Sequence, residues 1–172
     1  CLGITGSPFD AYQTLRGLRT LFTRIERQQA TATKLAKVLE AHPAVVAVHY
    51  PGLKSHSGHE LAARQQRGFG AMLSFELLGG QASVCSVIDA LDIFTLAESL
   101  GGVESLVAHP ATMTHAAMSA QAREAAGISE GLLRLSVGIE ALADLLADLQ
   151  AALARAATVA GQTSAIRAGA DA

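Results

Sequence analysis

Residues 132–140 read LLRLSVGIE, and the fold is decided by how that run is taken. Leu133, Leu135 and Val137 recur at period two, with Leu132, Arg134 and Ser136 between them. That alternation predicts a short strand with one apolar face and one mixed face, ended by a turn at Gly138. A leucine-rich helix follows over residues 141–157, with Leu142, Leu145, Leu149 and Leu153 on one side and Asp144 and Asp148 on its solvated side. Arg134 is the unusual residue. An unpaired guanidinium is costly to bury, so it must meet a wet cleft or an anion. Its planar fork suits a carboxylate held by two parallel hydrogen bonds. Two readings stand side by side: Arg134 grips the carboxylate of a small acid such as an amino acid, or it pairs with one of the chain's own acids.

Outward from that strand, the pattern is layered. Ser7 and Pro8 form a helix start, an oxygen cap followed by proline at the first helical position. A helix is expected over Phe9–Leu21, with a bend or a close packing contact at Gly17. A second is expected over Thr23–Glu40, with Ile25, Ala32, Leu35, Ala36 and Leu39 as its apolar side. Val45–Tyr50 and Gly70–Leu77 read as strands, the latter with Met72, Ser74 and Glu76 opposite Leu73, Phe75 and Leu77. GHELAARQQ, residues 58–66, reads as a short helix. Residues 81–91 form another, with Cys85 read as a buried small hydrophobe. A third strand is expected over Ile93–Ala97, and Gly127 is expected to terminate a helix. Between them, AESLGGVESL (97–106) holds two glycines in a tight turn whose backbone donors can face an anion. Glu98 and Ser99, at the end of a strand, are ligand-contact candidates. Three or four strands among five or six helices predict an α/β, α+β-like layered domain, its helices mainly on one face of a small sheet.

Composition excludes several functions. The chain has 172 residues, 50% hydrophobic and 16% charged, with net charge −2, which is globular and carries no basic run for nucleic acid. No uninterrupted apolar stretch reaches the length of about 18 residues that a membrane span needs. Cys1 and Cys85 make no disulfide framework, so a reduced, cytoplasmic setting is expected. His56 and His59 lack the neighbouring ligands a metal site would need, and no metal is expected. The start, CLGITGSPF, has no initiator methionine or basic leader, and a piece of a longer protein is expected. There is no G-x-S-x-G elbow, Walker loop or dinucleotide fingerprint. Lys34 and Lys37 sit on a polar helix face and Lys54 in a loop, so none reads as a desolvated nucleophile. The residues describe an anion-binding cleft without its own reactive machinery.

Four stretches carry a family resemblance: GSPFDAYQTLRGLRTL, VHYPGLKSHSGHELAARQQRGFGAMLSFEL, FTLAESLGGVESLVAHPATMTHA and GISEGLLRLSVGIEALADLLADL. In order and spacing the chain resembles the C-terminal part of the cysteine/methionine-metabolism enzymes that use pyridoxal phosphate. The resemblance implies the small C-terminal domain of an aspartate-aminotransferase-like (fold type I) enzyme, usually a homotetramer. Residues 1–22 would end the large cofactor domain and connect it, 23–157 would form the substrate-binding domain, and 158–172 a flexible tail. The branch most resembled exchanges the acyl group of O-succinylhomoserine, or O-acetylhomoserine, for cysteine to give cystathionine in methionine biosynthesis. A gamma-lyase acting on cystathionine or methionine, or a non-catalytic binding or scaffold domain, are the alternatives. By the resemblance Arg134 clamps the substrate α-carboxylate and Ser99 helps position it. Glu98 either contacts the distal amino group or is a solvated loop acid. Thr114 and His115 are loop residues near the cleft. The family's cofactor-binding lysine, ring-pairing aspartate and phosphate-binding residues precede the region resembled, so pyridoxal 5'-phosphate would be held by an N-terminal cofactor domain and this chain alone would be inactive. Ala141 stands where the family usually has an acid.

Overall fold

A computed structural model describes the backbone of residues 5–170 and the side chains of residues 5–158. The chain opens with α1 (Pro8–Leu18), where the Ser7 side chain accepts the Asp10 N–H at 3.1 Å and proline occupies the first turn. The bend expected at Gly17 is a full break: α1 ends at Leu18, and α2 (Leu21–Glu40) begins after Arg19 and Thr20. From Gln28 onward α2 buries a helical stripe of Gln28, Ala32, Leu35 and Leu39, together with Thr31 and Ala36. Ile25, expected on that apolar side, is 40% exposed. It lies beyond the part of α2 that the sheet covers.

Then come β1 (Val45–His49), α3 (His59–Gln65), β2 (Met72–Leu77), α4 (Gly80–Ile88), β3 (Thr95–Leu96), β4 (Leu106–Ala108), α5 (Ala120–Ala125), β5 (Leu132–Ser136) and α6 (Leu142–Ala170). The sheet has five strands in the order β1-β2-β5-β4-β3. All neighbours are antiparallel except β3 and β4, which run parallel. β5 is thus central, flanked by β2 and β4, as its two-sided pattern of large residues requires.

The register sorts the faces. Leu73 pairs with Leu135 and Phe75 with Leu133, and these four join Leu77, Val107 and Val137 in one core with Leu35, Leu39, Val84, Val87, Leu145, Leu149 and Leu153. Helices α2, α4 and α6 therefore cover one face. Burying a leucine or phenylalanine in such a core stabilises by about 1.5–3 kcal/mol. The other face carries Met72, Ser74 and Glu76 of β2 opposite Ser136, Arg134 and Leu132 of β5. Tyr50, just after β1, is fully buried; its hydroxyl donates to the Gly70 carbonyl at 3.0 Å and lies 3.0 Å from Thr33 Oγ1. Burial pushes its pKa up, only partly opposed by the Thr33 contact.

Other sequence expectations are corrected. Asp148 is not a solvated helix acid: it is 8% exposed, and its carboxylate accepts N–H bonds from Asp92 (2.8 Å), Ile93 (3.0 Å) and Phe94 (3.2 Å). It ties the segment after α4 to α6, with the negative charge solvated by backbone dipoles instead of water. Asp144 is exposed as expected. Cys85 is exposed, because α4 buries Ser83, Val84 and Val87 and turns Cys85 outward. β4 falls in a stretch expected to be loop; LVA is too short a run to show a period. Helix α6 runs to Ala170, through most of the stretch expected to be a tail. No helix among the described residues is long and apolar enough to cross a membrane.

Candidate substrate-carboxylate site

Arg134 projects from the middle of β5 on the face that the helices leave open, paired across to Ser74 of β2 and Ala108 of β4. Its Nη2 donates to the carbonyl oxygens of Glu98 (2.9 Å) and Ser99 (3.2 Å). The two stretches singled out in the sequence therefore meet, although β4 lies between β3 and β5 in the sheet. The turn after β3 reaches across β4 to the arginine.

The guanidinium is half-buried and makes no ion pair among the described residues. Its Nε is buried without a hydrogen-bond partner among the described residues. Arg123 provides the contrast: its Nη2 sits 2.6 Å from Glu130 Oε1, a pairing that consumes the charge internally. Arg134 is braced by carbonyl dipoles, which orient the fork without neutralising it. A guanidinium fork of this kind can take a carboxylate by two parallel hydrogen bonds, which makes Arg134 the candidate anion-binding group.

The turn it holds is itself tightly fixed. Gly101 takes φ +78°, a left-handed conformation that glycine tolerates and L side chains resist. Its N–H donates to Ser136 Oγ at 2.8 Å. The Gly102 carbonyl accepts from Gln28 Nε2 at 2.7 Å, and the Val103 carbonyl accepts the Ile139 N–H at 2.9 Å. Below, the Glu140 carboxylate accepts from the Ser105 N–H (2.6 Å) and hydroxyl (2.8 Å), and that hydroxyl accepts the Gly138 N–H at 2.9 Å. A Cβ at Gly138 would collide with the Val103 carbonyl, so the expected turn there also requires close backbone approach.

The side chains of Glu98 and Ser99 are both exposed beside the fork, and each touches Arg134 through its backbone carbonyl. Thr114 Oγ1 lies 2.7 Å from His115 Nδ1 on an exposed loop, and the pair binds nothing at Arg134. His56 accepts the Gly58 N–H, while His59 lies 2.8 Å from the Pro51 carbonyl and stacks on Phe69, so both serve the loop. Sequence reasoning missed Ser136, Gln28, Ser105 and Glu140. Ser136 was within reach, two residues from Arg134 on the same face. Gln28 also carried a signal: it is a polar residue in line with Ala32, Leu35 and Leu39.

The sheet and the glycine turn that brace Arg134 make this face a candidate anion-binding site. The family model for Cys/Met metabolism PLP-dependent enzymes matches residues 1–154, and the chain belongs to that family. It is 56% identical over 149 residues to a cystathionine gamma-synthase of Escherichia coli (strain K12), covering 87% of this chain and 39% of that protein. It is 51% identical over 152 residues to a cystathionine beta-lyase of Coxiella burnetii, covering 88% of this chain and 39% of that one. A solved cystathionine gamma synthase from Xanthomonas oryzae pv. oryzae, in complex with aminoacrylate and cysteine, superposes with TM-score 0.87 and 64% identity. That match covers 91% of this chain and 41% of the other. The chain spans 39% of the length of the two curated relatives.

The family depends on pyridoxal phosphate. Lys34, Lys37 and Lys54 are the chain's three lysines, and all are exposed. None of the three makes a side-chain hydrogen bond or ion pair among the described residues.

Proposed function

We propose that this chain is the C-terminal, substrate-binding portion of an enzyme that replaces the acyl group of O-succinylhomoserine, or O-acetylhomoserine, with cysteine to give cystathionine. Arg134 binds the substrate α-carboxylate, Ser99 helps position it, and Glu98 meets the distal amino group of cysteine or cystathionine. Pyridoxal phosphate, carried by an N-terminal cofactor domain, supplies the electron sink. This chain's residues supply binding and orientation, which convert an encounter into an aligned reaction.

The observation that carries the reading is the state of Arg134: braced by the carbonyls of Glu98 and Ser99, unpaired with any acid among the described residues, and half-exposed. The likeness to gamma-synthases of Escherichia coli and Xanthomonas oryzae supports the reaction. The likeness to a beta-lyase favours a second reading, elimination in place of replacement on the same carboxylate clamp.

Residues 1–22 would join the cofactor domain, with 23–157 as the substrate-binding domain and 158–172 as a terminal extension. Exposed Phe9, Tyr12, Leu15 and Leu18 support this, since α1 has no buried residue to hold it to the sheet. The same apolar face supports assembly of the whole enzyme, a homotetramer in this reading.

The test is Arg134→Lys in the full-length protein. A point charge replaces the planar fork poorly, so KM for O-acylhomoserine should rise about tenfold or more with the cofactor absorbance retained. Unchanged KM would remove Arg134 from the site. Product analysis with cysteine present separates the two chemistries: cystathionine marks replacement, and a 2-oxo acid with ammonia marks elimination.

A further inference from the structure

We propose that Gln28 is a positioning residue for the carboxylate clamp, acting through the Gly102 carbonyl on the turn that braces Arg134. The inference rests on the reading of Arg134 as the substrate-carboxylate receptor.

Gln28 is 2% exposed and lies on the α2 stripe of Ala32, Leu35 and Leu39, each fully buried. A buried carboxamide is costly unless hydrogen-bonded, so a glutamine kept in such a stripe has a partner that matters. That partner is the Gly102 carbonyl, which accepts from Nε2 at 2.7 Å across 74 residues of sequence.

The geometry downstream is short. Arg134 Nη2 rests on the carbonyls of Glu98 and Ser99, so the fork lies where that end of the turn lies. Between there and β4 the turn is fixed at three consecutive residues: Gly101 by Ser136, Gly102 by Gln28, and Val103 by Ile139. The first and third anchors come from β5 or the segment directly after it. They move with the strand that carries Arg134. Among the described residues, Gln28 alone ties the turn to a helix. Its neighbour Arg27 does the same for the other loop, donating from Nη2 to the Glu140 carbonyl at 3.2 Å.

α2 thus bridges two regions. Its first turns expose Leu21, Phe22 and Ile25, while its next turn donates to the glycine turn at Gly102 and to Glu140 in the segment after β5. Ala32, Leu35 and Leu39 seat α2 on the core, and Gln28 carries that fixed position to the turn that orients Arg134.

The experiment uses the full-length holoenzyme carrying Gln28→Met, which keeps length and volume but removes the amide donor. Loss of one hydrogen bond to a carbonyl predicts a KM for O-acylhomoserine raised about fivefold. Turnover number, cofactor absorbance and melting temperature should stay near those of the parent. Amide exchange in the peptide covering residues 99–103 should accelerate. Arg134→Lys runs in parallel, and the double variant should raise KM by less than the product of the single effects, because both act on one fork. If Arg134→Lys raises KM and Gln28→Met does not, the positioning role is overturned and the carboxylate reading stands. If Arg134→Lys leaves KM unchanged, the carboxylate reading itself has failed. A KM rise matched by lost absorbance or a lower melting temperature overturns the proposal, as does failure of both Gln28→Met and Gln28→Leu to fold, since either result makes Gln28 a core residue.

Discussion

β5 has two faces, and they answer to different demands. Leu133 and Leu135 point into a core closed by α2, α4 and α6 and are fully buried. Arg134 and Ser136, one residue out of step, meet the loop after β3 and hold its backbone by hydrogen bonds. Hydrophobic burial is non-directional and tolerates no water; the other face uses a few directional bonds around a charge left uncompensated. One strand can serve both because side chains alternate at period two, so core packing and the polar contacts to the loop are written in different residues.

That division can be broken by substitution. Phe75→Ala on the closed face should have the largest effect, about 3–5 kcal/mol of stability lost, measured by denaturant unfolding; a loss below about 1 kcal/mol would mean that the closed face is not the core. Asp148→Ala comes next. It strips the acceptor from the three N–H groups of residues 92–94 and should cost about 2–3 kcal/mol. Asp148→Asn should recover part of that loss, whereas equal losses would show that packing, not the carboxylate, holds the segment. The smallest effect belongs to the open face. His49 and Glu76 lie 3.4 Å apart with side chains 51% and 27% exposed, and Glu76→Gln should change stability by less than about 0.5 kcal/mol. A larger loss would give the open face a structural share it is not expected to have.

Helices α1 and α6 make the same point about legibility. Both show apolar residues at helical spacing. In α6, Leu145, Leu149 and Leu153 are buried; in α1, Phe9, Tyr12, Leu15 and Leu18 are exposed. Spacing reports which residues share a face and says nothing of what covers it. Asp148 and Cys85 were misplaced for that reason. A carboxylate at a helix flank reads as solvated until a neighbouring segment presents three N–H groups to it, and a cysteine reads as buried until its helix is rotated against the sheet. The strand β4 escaped because three residues cannot display a period.

The sequence by itself determined the alternation of β2 and β5, the cap at Ser7 and the turns at Gly101 and Gly138, and it singled out Arg134, Glu98 and Ser99 as candidates. These are local matters of side-chain period, steric freedom and the cost of burying charge. Only the tertiary structure decided that β4 lies between the strands bearing those residues, that Arg134 rests on carbonyls where Arg123 takes a carboxylate, and that a glutamine from α2 holds Gly102. Each of these depends on groups 7 to 74 residues apart in sequence, and which distant donor meets which acceptor is settled when the helices pack on the sheet.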